Sequence, residues 1–407
     1  LEKNIPYIQK NILSGVLTYE KLALFYLYRI KKIEFNKKTY LNSIISLNHN
    51  IILEAREKDK KKPSSIYSLY GIPILLKDNI NFDGLPTTAG SALLRDNISE
   101  DSFVVKKLKE SGAIILGKTN LSEWAYYFCN ECPLGYSAIG GQTLNPYGRK
   151  VFESGGSSSG SGVAISANLS SVALGSETSG SILSPSSLNS IVGLKPTIGL
   201  VSRTGIVPIS STLDTSGPMT KNVIDNVIVF NSIMSFDKDD NYSKKKIKID
   251  YKKITSSSLN GFRLGVFKEL LKEPLYKKAI EDIQEAGGVI IPFNPPKINF
   301  SGFRKILDVD MKKDLPKYLL KYSENNLNIK NVSEIISFNL EDSLNRSPYG
   351  QGIFKRIVSD NTTKEDFEML KIRLKLEGKR YFDKSLNEHS LDAILSINNY
   401  HAAYAAA

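Results

Sequence analysis

Two loops rich in glycine and serine dominate residues 155–196, and their composition is typical of a catalytic centre rather than of a packed core. Glycine permits positive φ angles and close approach of the backbone. A serine hydroxyl is a nucleophile once a base activates it, and successive backbone N–H groups in such turns can bind an anion. A helix of small residues and a short apolar strand are predicted between the loops. The stretch therefore predicts nucleophilic chemistry beside an anion-binding pocket.

The first loop partly matches two known motifs. Its glycines fit a phosphate-binding loop, but Ser161 and Gly162 follow where that motif requires Lys and then Ser or Thr. The run GSSSG fits the G-x-S-x-G pattern of a nucleophile elbow, which needs a histidine base further along the chain. Only His389 and His401 follow it. We therefore set the phosphate-binding loop aside, and a Ser-His-Asp triad is disfavoured but left open.

Lysine is the other candidate base. Lys77 directly follows the apolar run 74–76, which predicts a buried strand. Burial lowers the pKa of a lysine ammonium, and a neutral lysine can accept a proton from serine. On this stretch alone, the favoured interpretation is a side chain that extends to the surface. A serine hydrolase with a lysine base nevertheless matches a chain that has serines at its centre and no histidine there.

Six segments give the chain a resemblance to the amidase signature family. They follow the family's order and spacing over about residues 70–220, and outside that block the resemblance is only general. The segments are GIPILLKDNI, GGQTLNPYG, GGSSSGSG, ALGSETSGS, IVGLKPTIGLVSRTGIVPIS and LDTSGPM. Within the family, SETSGS, the SPSS that follows it and VSRTGIVPIS are most similar to the peptide amidase branch.

The resemblance implies a Ser–Ser–Lys triad. Ser181 matches the family's nucleophile, Ser157 matches the bridging serine that a cis peptide bond holds, and Lys77 matches the base. The resemblance also implies that Ser158 helps to orient the triad, and that backbone N–H groups form an oxyanion hole. Those N–H groups belong to Thr178, Ser179, Gly180 and Ser181. No metal and no organic cofactor is implied.

The chain departs from the family pattern near the predicted nucleophile. The family often has two glycines before it, and here Ser179 takes the first of these positions, where a positive φ would be strained. The family often has an arginine two residues after it, and here that residue is Leu183, which puts recognition of a substrate carboxylate through that arginine in doubt. The chain also ends before the family's usual last strand and helix, so we expect either an incomplete chain or a shortened sheet.

Composition excludes several classes of protein. The 407 residues carry a net charge of +12, and 41% are hydrophobic, which suits a globular protein. The basic excess is scattered, with two runs at 56–62 and 237–253 that we predict to be solvated loops, and no RNA-binding motif accompanies it. We therefore predict no nucleic-acid partner. No apolar run is long enough to span a membrane.

The two cysteines, Cys129 and Cys132, are too few for a disulfide scaffold, and a structural zinc site needs four ligands. Two independent thiols are the favoured interpretation, and a local disulfide stays open.

No signal peptide is apparent, but the chain begins with Leu1, so removal of an N-terminal segment is one interpretation. The compartment stays open between cytoplasm and export, and the oligomeric state is not predicted.

The elements that must position these residues indicate an α/β fold. Residues 6–32 predict a helix or a helix pair with a restart at Leu17 and Thr18. Residues 101–119 predict a helix followed by a short buried strand at 113–117, with Gly117 at the turn. Later strands are predicted at 263–267, 288–292 and 391–397, with helices at 221–235, 275–286 and over most of 300–386. We predict one amidase domain over 1–407, a central mixed sheet covered by helices on both faces. Its signature core is about 70–220, and a variable helical region at about 262–390 builds the substrate pocket.

The predicted function is hydrolysis of a carboxamide to a carboxylate and ammonia through an acyl-enzyme. The leading substrates are a peptide C-terminal amide or another small linear amide. One alternative is a relative of the glutamine-hydrolysing amidotransferase subunit, which makes ammonia for tRNA-dependent amidation. The basic charge favours this alternative and Leu183 disfavours it. The other is a catalytically inactive binding or scaffold protein, which the intact Lys77, Ser157 and Ser181 disfavour.

Overall fold

The computed structural model describes residues 3–245, 247–256, 258–323 and 329–406. The chain divides into two compact units. The first comprises Leu1–Ile249 and Asp310–Asp360, and the second comprises Asp250–Val309 and Asn361–Ala407. The predicted fold class, α/β with a central mixed sheet and flanking helices, is confirmed. The extent of a single domain over the whole chain stays a prediction.

The first unit is built on a six-stranded mixed sheet. Its strands are β1 (Ile44–Leu47), β2 (Pro73–Lys77), β3 (Ile114–Thr119), β6 (Val172–Glu177), β7 (Val192–Gly193) and β8 (Thr215–Thr220), and a separate hairpin pairs β4 (Tyr136–Ser137) with β5 (Gly141–Gln142). The order across the sheet is β1-β3-β2-β6-β8-β7. Strand β2 is parallel to β3 and β6, whereas β1 is antiparallel to β3, and β8 is antiparallel to β6 and β7.

The four central strands, β2, β3, β6 and β8, are buried along their whole length. Burial on both faces explains the apolar and small residues of these strands, because a strand that is covered on both sides has no solvent-facing positions. The parallel strands β2, β3 and β6 end at Lys77, Thr119 and Glu177, so these three residues lie along one edge of the sheet. Ligands of open α/β sheets bind beyond this carboxyl edge. The topology therefore places the predicted base at the edge where a site is expected.

Helices flank this sheet in the first unit. The predicted helix pair is confirmed, because the Thr18 side chain accepts the Lys21 N–H and begins a second helix after the first has ended. The helices are α1 (Ile5–Leu13), α2 (Tyr19–Glu34), α3 (Ile51–Asp59), α4 (Phe103–Glu110), α5 (Ser159–Ser166), α6 (Leu183–Leu188), α7 (Val223–Ile233), α11 (Val332–Leu340), α12 (Ser343–Arg346) and α13 (Gly352–Ser359).

The second unit has a parallel three-stranded sheet. The strands are β9 (Arg263–Phe267), β10 (Val289–Phe293) and β11 (Ala393–Leu395), in the order β10-β9-β11, and the helices are α8 (Tyr251–Ser256), α9 (Pro274–Glu285), α14 (Lys364–Glu388) and α15 (Ala402–Ala406). Its core is aromatic: Phe267 packs against Phe293 and Tyr381. Helix α10 (Phe303–Tyr322) belongs to the first unit from Asp310 onward.

Both charged runs that we predicted to be solvated loops differ from that prediction. The run at 56–62 begins inside α3, which ends at Asp59. In the run at 237–253, Asp237 and Asp240 are buried, and Asp240 accepts hydrogen bonds from Arg203. Residue 246 of that run lies outside the described residues. These aspartates show that a run of alternating charge can contain residues that anchor a loop.

Candidate active site

Lys77 is the last residue of β2, and its side chain is fully buried, with no exposed surface. Its Nζ donates to Ser157 Oγ at 2.7 Å, to Ser176 Oγ at 2.9 Å and to the Ser176 carbonyl at 3.2 Å. The prediction that Lys77 extends to the surface is therefore wrong. Strands β3 and β6 pair with β2 on its two sides.

Burial also changes the acidity of this amine. Desolvation lowers the pKa of Lys77 to about 7, and the carboxylates of Asp214 and Glu177 oppose part of that change. A lysine with this pKa is substantially neutral at neutral pH and holds a lone pair on Nζ. The Nζ–Oγ contact with Ser157 is then a path for a proton from the hydroxyl to the amine.

Ser157 is fixed by the loop that precedes α5. The Gly156–Ser157 peptide bond is cis, as the resemblance implied. The Ser157 carbonyl accepts the Ser122 N–H at 3.0 Å. Gly155 has φ +67°, and a side chain there would meet the backbone of Pro185 at 2.8 Å, so the loop needs glycine at that position. Glycine at position 155 is therefore a packing requirement of the loop that carries Ser157.

Ser158 links the two glycine-rich loops. Its N–H donates to the Ser181 carbonyl at 3.1 Å, and its hydroxyl donates to the Ser176 carbonyl at 3.1 Å. The Ser158 hydroxyl also accepts the Ser176 N–H at 3.3 Å. Ser158 thus bonds directly to the backbone of Ser181 and of Ser176, and Ser176 also contacts Lys77. The structure brings Lys77, Ser157, Ser158 and Ser181 into one cluster.

The turn that carries Ser181 is organised by Glu177, which sequence reasoning missed. Its carboxylate accepts the N–H groups of Gly180 and Ile182, each at 2.7 Å, and that of Leu183 at 3.0 Å. Glu177 is buried and ends β6, so it follows an apolar strand just as Lys77 does. That position at a strand end is the signal that would have found it.

The four N–H groups predicted for the oxyanion hole differ in their surroundings. The N–H of Gly180 donates to Glu177, so it faces a carboxylate and not the site. Gly180 has φ +93°, whereas Ser179 lies outside the left-handed region, so the strain we expected at Ser179 does not arise. The predicted set is thereby reduced to the N–H groups of Thr178, Ser179 and Ser181, and their role stays a prediction. Ser179 and Ser181 are partly exposed.

A second buried lysine lies beside the first. Lys118 follows Gly117 in β3, and its Nζ is 3.4 Å from Asp78 Oδ1 and donates to Thr87 Oγ1 at 2.8 Å. Asp78 also accepts the Thr88 N–H at 3.2 Å. Sequence reasoning ended the strand before Lys118 and so missed a buried ion pair next to the predicted base.

Cys129 and Cys132 form a disulfide, so the favoured interpretation of two independent thiols is wrong and the local disulfide is correct.

Among the described residues, no three His, Cys, Asp or Glu side chains are grouped so that they could hold a metal ion. Within the same residues, no helix has both the length and the apolar character needed to cross a membrane.

Known proteins of one family are similar to this chain over most of its length. The family model described as Amidase matches residues 25–404. A probable amidase from Arabidopsis thaliana is 36% identical over 403 residues, which cover 94% of this chain and 77% of the relative. The native peptide amidase of Stenotrophomonas maltophilia is 33% identical, with a TM-score of 0.90 over 100% of this chain and 88% of that structure.

Another group of relatives has a different name. The glutamyl-tRNA(Gln) amidotransferase subunit of Thermoanaerobacter pseudethanolicus is 39% identical over 286 residues. The match covers 68% of this chain, and the chain spans only 57% of that relative. The Amidase model and the plant relative each cover most of this chain. The chain therefore belongs to the amidase family, the amidase-signature hydrolases of amide C–N bonds.

Proposed function

We propose that the chain hydrolyses a carboxamide to a carboxylate and ammonia, with a peptide C-terminal amide or another small linear amide as substrate. One observation carries this proposal. A fully buried lysine with a pKa lowered to about 7 lies 2.7 Å from a serine hydroxyl, next to a turn that presents a second, partly exposed serine. The S. maltophilia structure is named a peptide amidase, and its similarity over the whole of this chain supports the peptide-amide class.

In the proposed first step, neutral Lys77 accepts the proton of Ser157 while Ser157 accepts the proton of Ser181. Ser181 Oγ attacks the amide carbon, and the carbonyl oxygen becomes an oxyanion. The remaining predicted N–H donors, those of Thr178, Ser179 and Ser181, stabilise that charge. This order of transfer uses the lysine as general base and the bridging serine as relay.

In the second step the C–N bond breaks, and Ser157 donates a proton to the departing nitrogen while Lys77 returns one to Ser157. Ammonia leaves, and Ser181 holds the acyl group as an ester. Water then attacks the ester carbon, its proton passes through Ser157 to Lys77, and the carboxylic acid is released as Ser181 recovers its proton. The cycle consumes one water and leaves the enzyme unchanged.

Ammonia release tests this proposal. We expect the parent chain to release ammonia from peptide amides, and the Ser181→Ala variant to release none. Ser187→Ala is the matched control, since Ser187 is an exposed serine of α6 in the same segment, and it should keep the parent rate. Equal rates for the parent and Ser181→Ala would contradict the nucleophile assignment. A parent chain that hydrolyses no amide would favour the inactive binding or scaffold protein.

A second candidate function rests on the amidotransferase relatives. Similarity to a glutamyl-tRNA(Gln) amidotransferase subunit over 68% of this chain favours glutamine as a substrate. Leu183, at the position where the family often has an arginine, opposes it, because an aliphatic side chain offers the glutamine carboxylate no charge. Glutamine in the same panel separates the two functions. Preference for glutamine, with a requirement for partner subunits, would replace the peptide-amide proposal.

A further inference from the structure

Asp214 lies opposite the turn that carries Ser181, and sequence reasoning did not assign it a role. The antiparallel ladder between β6 and β8 pairs Glu177 with Thr215. The residues just beyond that pair are Thr178 on one strand and Asp214 on the other. Sheet register therefore forces the two side chains together at the edge where Lys77 also ends its strand.

The Asp214 carboxylate joins two separate turns. Thr178 Oγ1 donates to Asp214 Oδ1 at 2.5 Å, which ties Asp214 to the Ser181 turn. The other oxygen, Oδ2, accepts the N–H of Ile209 at 2.9 Å and that of Ser210 at 2.8 Å. A carboxylate that accepts from a hydroxyl and two backbone donors fixes their positions more strongly than neutral acceptors would.

The turn at 209–212 is itself held by helix α10. Ser210 Oγ donates to Asp310 Oδ2 at 2.5 Å, and the Thr212 N–H donates to the same oxygen at 3.2 Å. The Ser211 N–H donates to Asp314 Oδ2 at 2.9 Å. Two carboxylates one helical turn apart thus anchor the turn from which Asp214 reaches Thr178. Because α10 holds the turn at 209–212, and that turn holds the Asp214 carboxylate, Asp214 can fix the position of Thr178 at the start of the Ser181 turn.

Asp214 also contributes charge to the base. Its negative charge and that of Glu177 both favour the ammonium form of Lys77, against the effect of desolvation. Among the other charged groups near this edge, Asp78 pairs with Lys118, and Arg203 pairs with Asp240 and also acts on Asp214, whose carboxylate form it favours. The charge of Glu177 also acts on Lys195, whose pKa burial lowers. Asp214 is thus a carboxylate that contacts the Ser181 turn and whose charge also acts on the Lys77 amine.

We infer that Asp214 is a positioning residue of the hydrolytic site. Its carboxylate fixes the Ser181 turn through Thr178 and adds a negative charge that acts on Lys77. This inference rests on the proposed function, because it assigns Lys77 the role of base. A carboxylate that merely stabilised the fold would change unfolding and leave the pH dependence of hydrolysis in place. The pH profile therefore separates the two roles.

The test is the pH profile of kcat/KM for Asp214→Asn. Asparagine keeps the shape and can still accept both backbone N–H groups, but it carries no charge. Lys77 should then lose its proton at lower pH, so the acid limb of the profile moves down by about one pH unit. At the plateau kcat should fall about tenfold, because the Thr178 contact loses its charge assistance. An unmoved limb would overturn the charge role.

A second variant separates position from charge. Thr178→Val removes the hydroxyl that donates to Asp214 and keeps the carboxylate. Its kcat should fall several-fold while its acid limb stays at the parent pH. An unchanged kcat would overturn the positioning role. If Asp214→Asn does not fold, Asp214→Ser removes the same charge with a smaller side chain and gives the same expected shift.

Asp225→Asn is the matched control. Asp225 is buried, and desolvation raises its pKa to about 6, as it does the pKa of Asp214. Asp225 accepts the Ile5 N–H at 2.7 Å, but it is not among the charges that act on Lys77. Its profile should match the parent. If Asp214→Asn behaves like this control while the parent is an active, Ser181-dependent amidase, only the Asp214 inference fails. If the parent hydrolyses no amide, or Ser181→Ala keeps activity, the proposed function fails instead.

Discussion

The ends of β2 and β3 carry two lysines that are buried to the same degree and surrounded by different partners. Desolvation lowers the pKa of both Lys77 and Lys118. Lys118 has a carboxylate oxygen of Asp78 at 3.4 Å, whereas the contacts of Lys77 are hydroxyl and carbonyl oxygens of Ser157 and Ser176. Burial makes an amine less basic, but its partner decides whether it stays an ion or becomes a base.

This difference separates two roles that the same residue type can have at one sheet edge. In the β3 pair, Asp78 and Lys118 each offset part of the desolvation of the other, although burial still raises the pKa of Asp78 and lowers that of Lys118. At the β2 end, the neighbouring oxygens are uncharged, and the carboxylates of Glu177 and Asp214 act on Lys77 through space. The first arrangement suits structure, and the second suits proton transfer.

The largest expected effect is on activity when Lys77 is removed. Lys77→Met should lower the rate of ammonia release by about 10⁴-fold, since general-base catalysis is lost. Unfolding should be no easier, because the variant replaces a desolvated amine with an apolar side chain of similar length. Ammonia release and urea unfolding on the same preparation check both statements. A variant that kept a tenth of the parent rate would contradict the role of Lys77 as base.

Removing the other lysine should act on stability. Lys118→Met should lower the free energy of unfolding by about 3–5 kcal/mol, because Asp78 is left buried without its cation. The double variant Lys118→Met/Asp78→Asn should recover part of that loss, since the unpaired charge is gone. Urea unfolding of the three proteins measures the difference. If Lys118→Met has the same free energy of unfolding as the parent, then Lys118 does not stabilise the fold, and the proposed difference from Lys77 is wrong.

The pH dependence of stability sharpens the same comparison. Unfolded Lys77 titrates near its ordinary value, and folded Lys77 near 7, so between these values the unfolded chain binds more protons. The free energy of unfolding should therefore rise with pH in this window, by at most about 1.4 kcal/mol per pH unit for this one proton. Lys77→Met should lack that contribution. If the free energy of unfolding changes with pH equally in the parent and in Lys77→Met between about pH 7 and pH 10, the pKa of Lys77 is not lowered in the folded protein.

The smallest expected effect concerns the Glu177 carboxylate. Glu177→Gln should lower kcat about tenfold, because an amide N–H would replace the oxygen that accepts the Gly180 N–H and loosen the Ser181 turn. Glu34→Gln is its control, since Glu34 also accepts two backbone N–H groups, from Leu41 and Ser43, each at 3.0 Å. The control should keep the parent kcat. Equal losses in both variants would mean that the effect is general to such carboxylates.

Sequence patterns predicted the fold class and the first elements of the site for a physical reason. Apolar runs that end in a polar residue indicate strands whose last residue lies at the sheet edge, and β2 follows this rule. Glycine and serine loops indicate backbone that must approach closely, as Gly155 does at Pro185. The grouping of Lys77, Ser157 and Ser181 came from resemblance, because no spacing along the chain shows which loops meet in space.

The acidic residues of the site were not predicted. Thr178 and Asp214 share a hydrogen bond, yet they lie 36 positions apart along the chain. Only the antiparallel register of β6 and β8 brings Asp214 to the turn that follows Glu177. Lys118 was missed because the strand was predicted to end at Gly117, whereas β3 continues to Thr119. Register and strand ends are set by pairing, which local patterns do not specify.

The two carboxylates around Lys77 have a consequence for turnover. The substrate amide of the proposed reaction is neutral, but its product is an anion. Glu177 and Asp214 repel that anion and leave the starting amide unaffected, so the electrostatics of the site favour departure of the acid. Desolvation raises the pKa of Asp214 to about 6. Product inhibition should therefore be weak at neutral pH and grow stronger as the solution becomes acidic and Asp214 loses its charge.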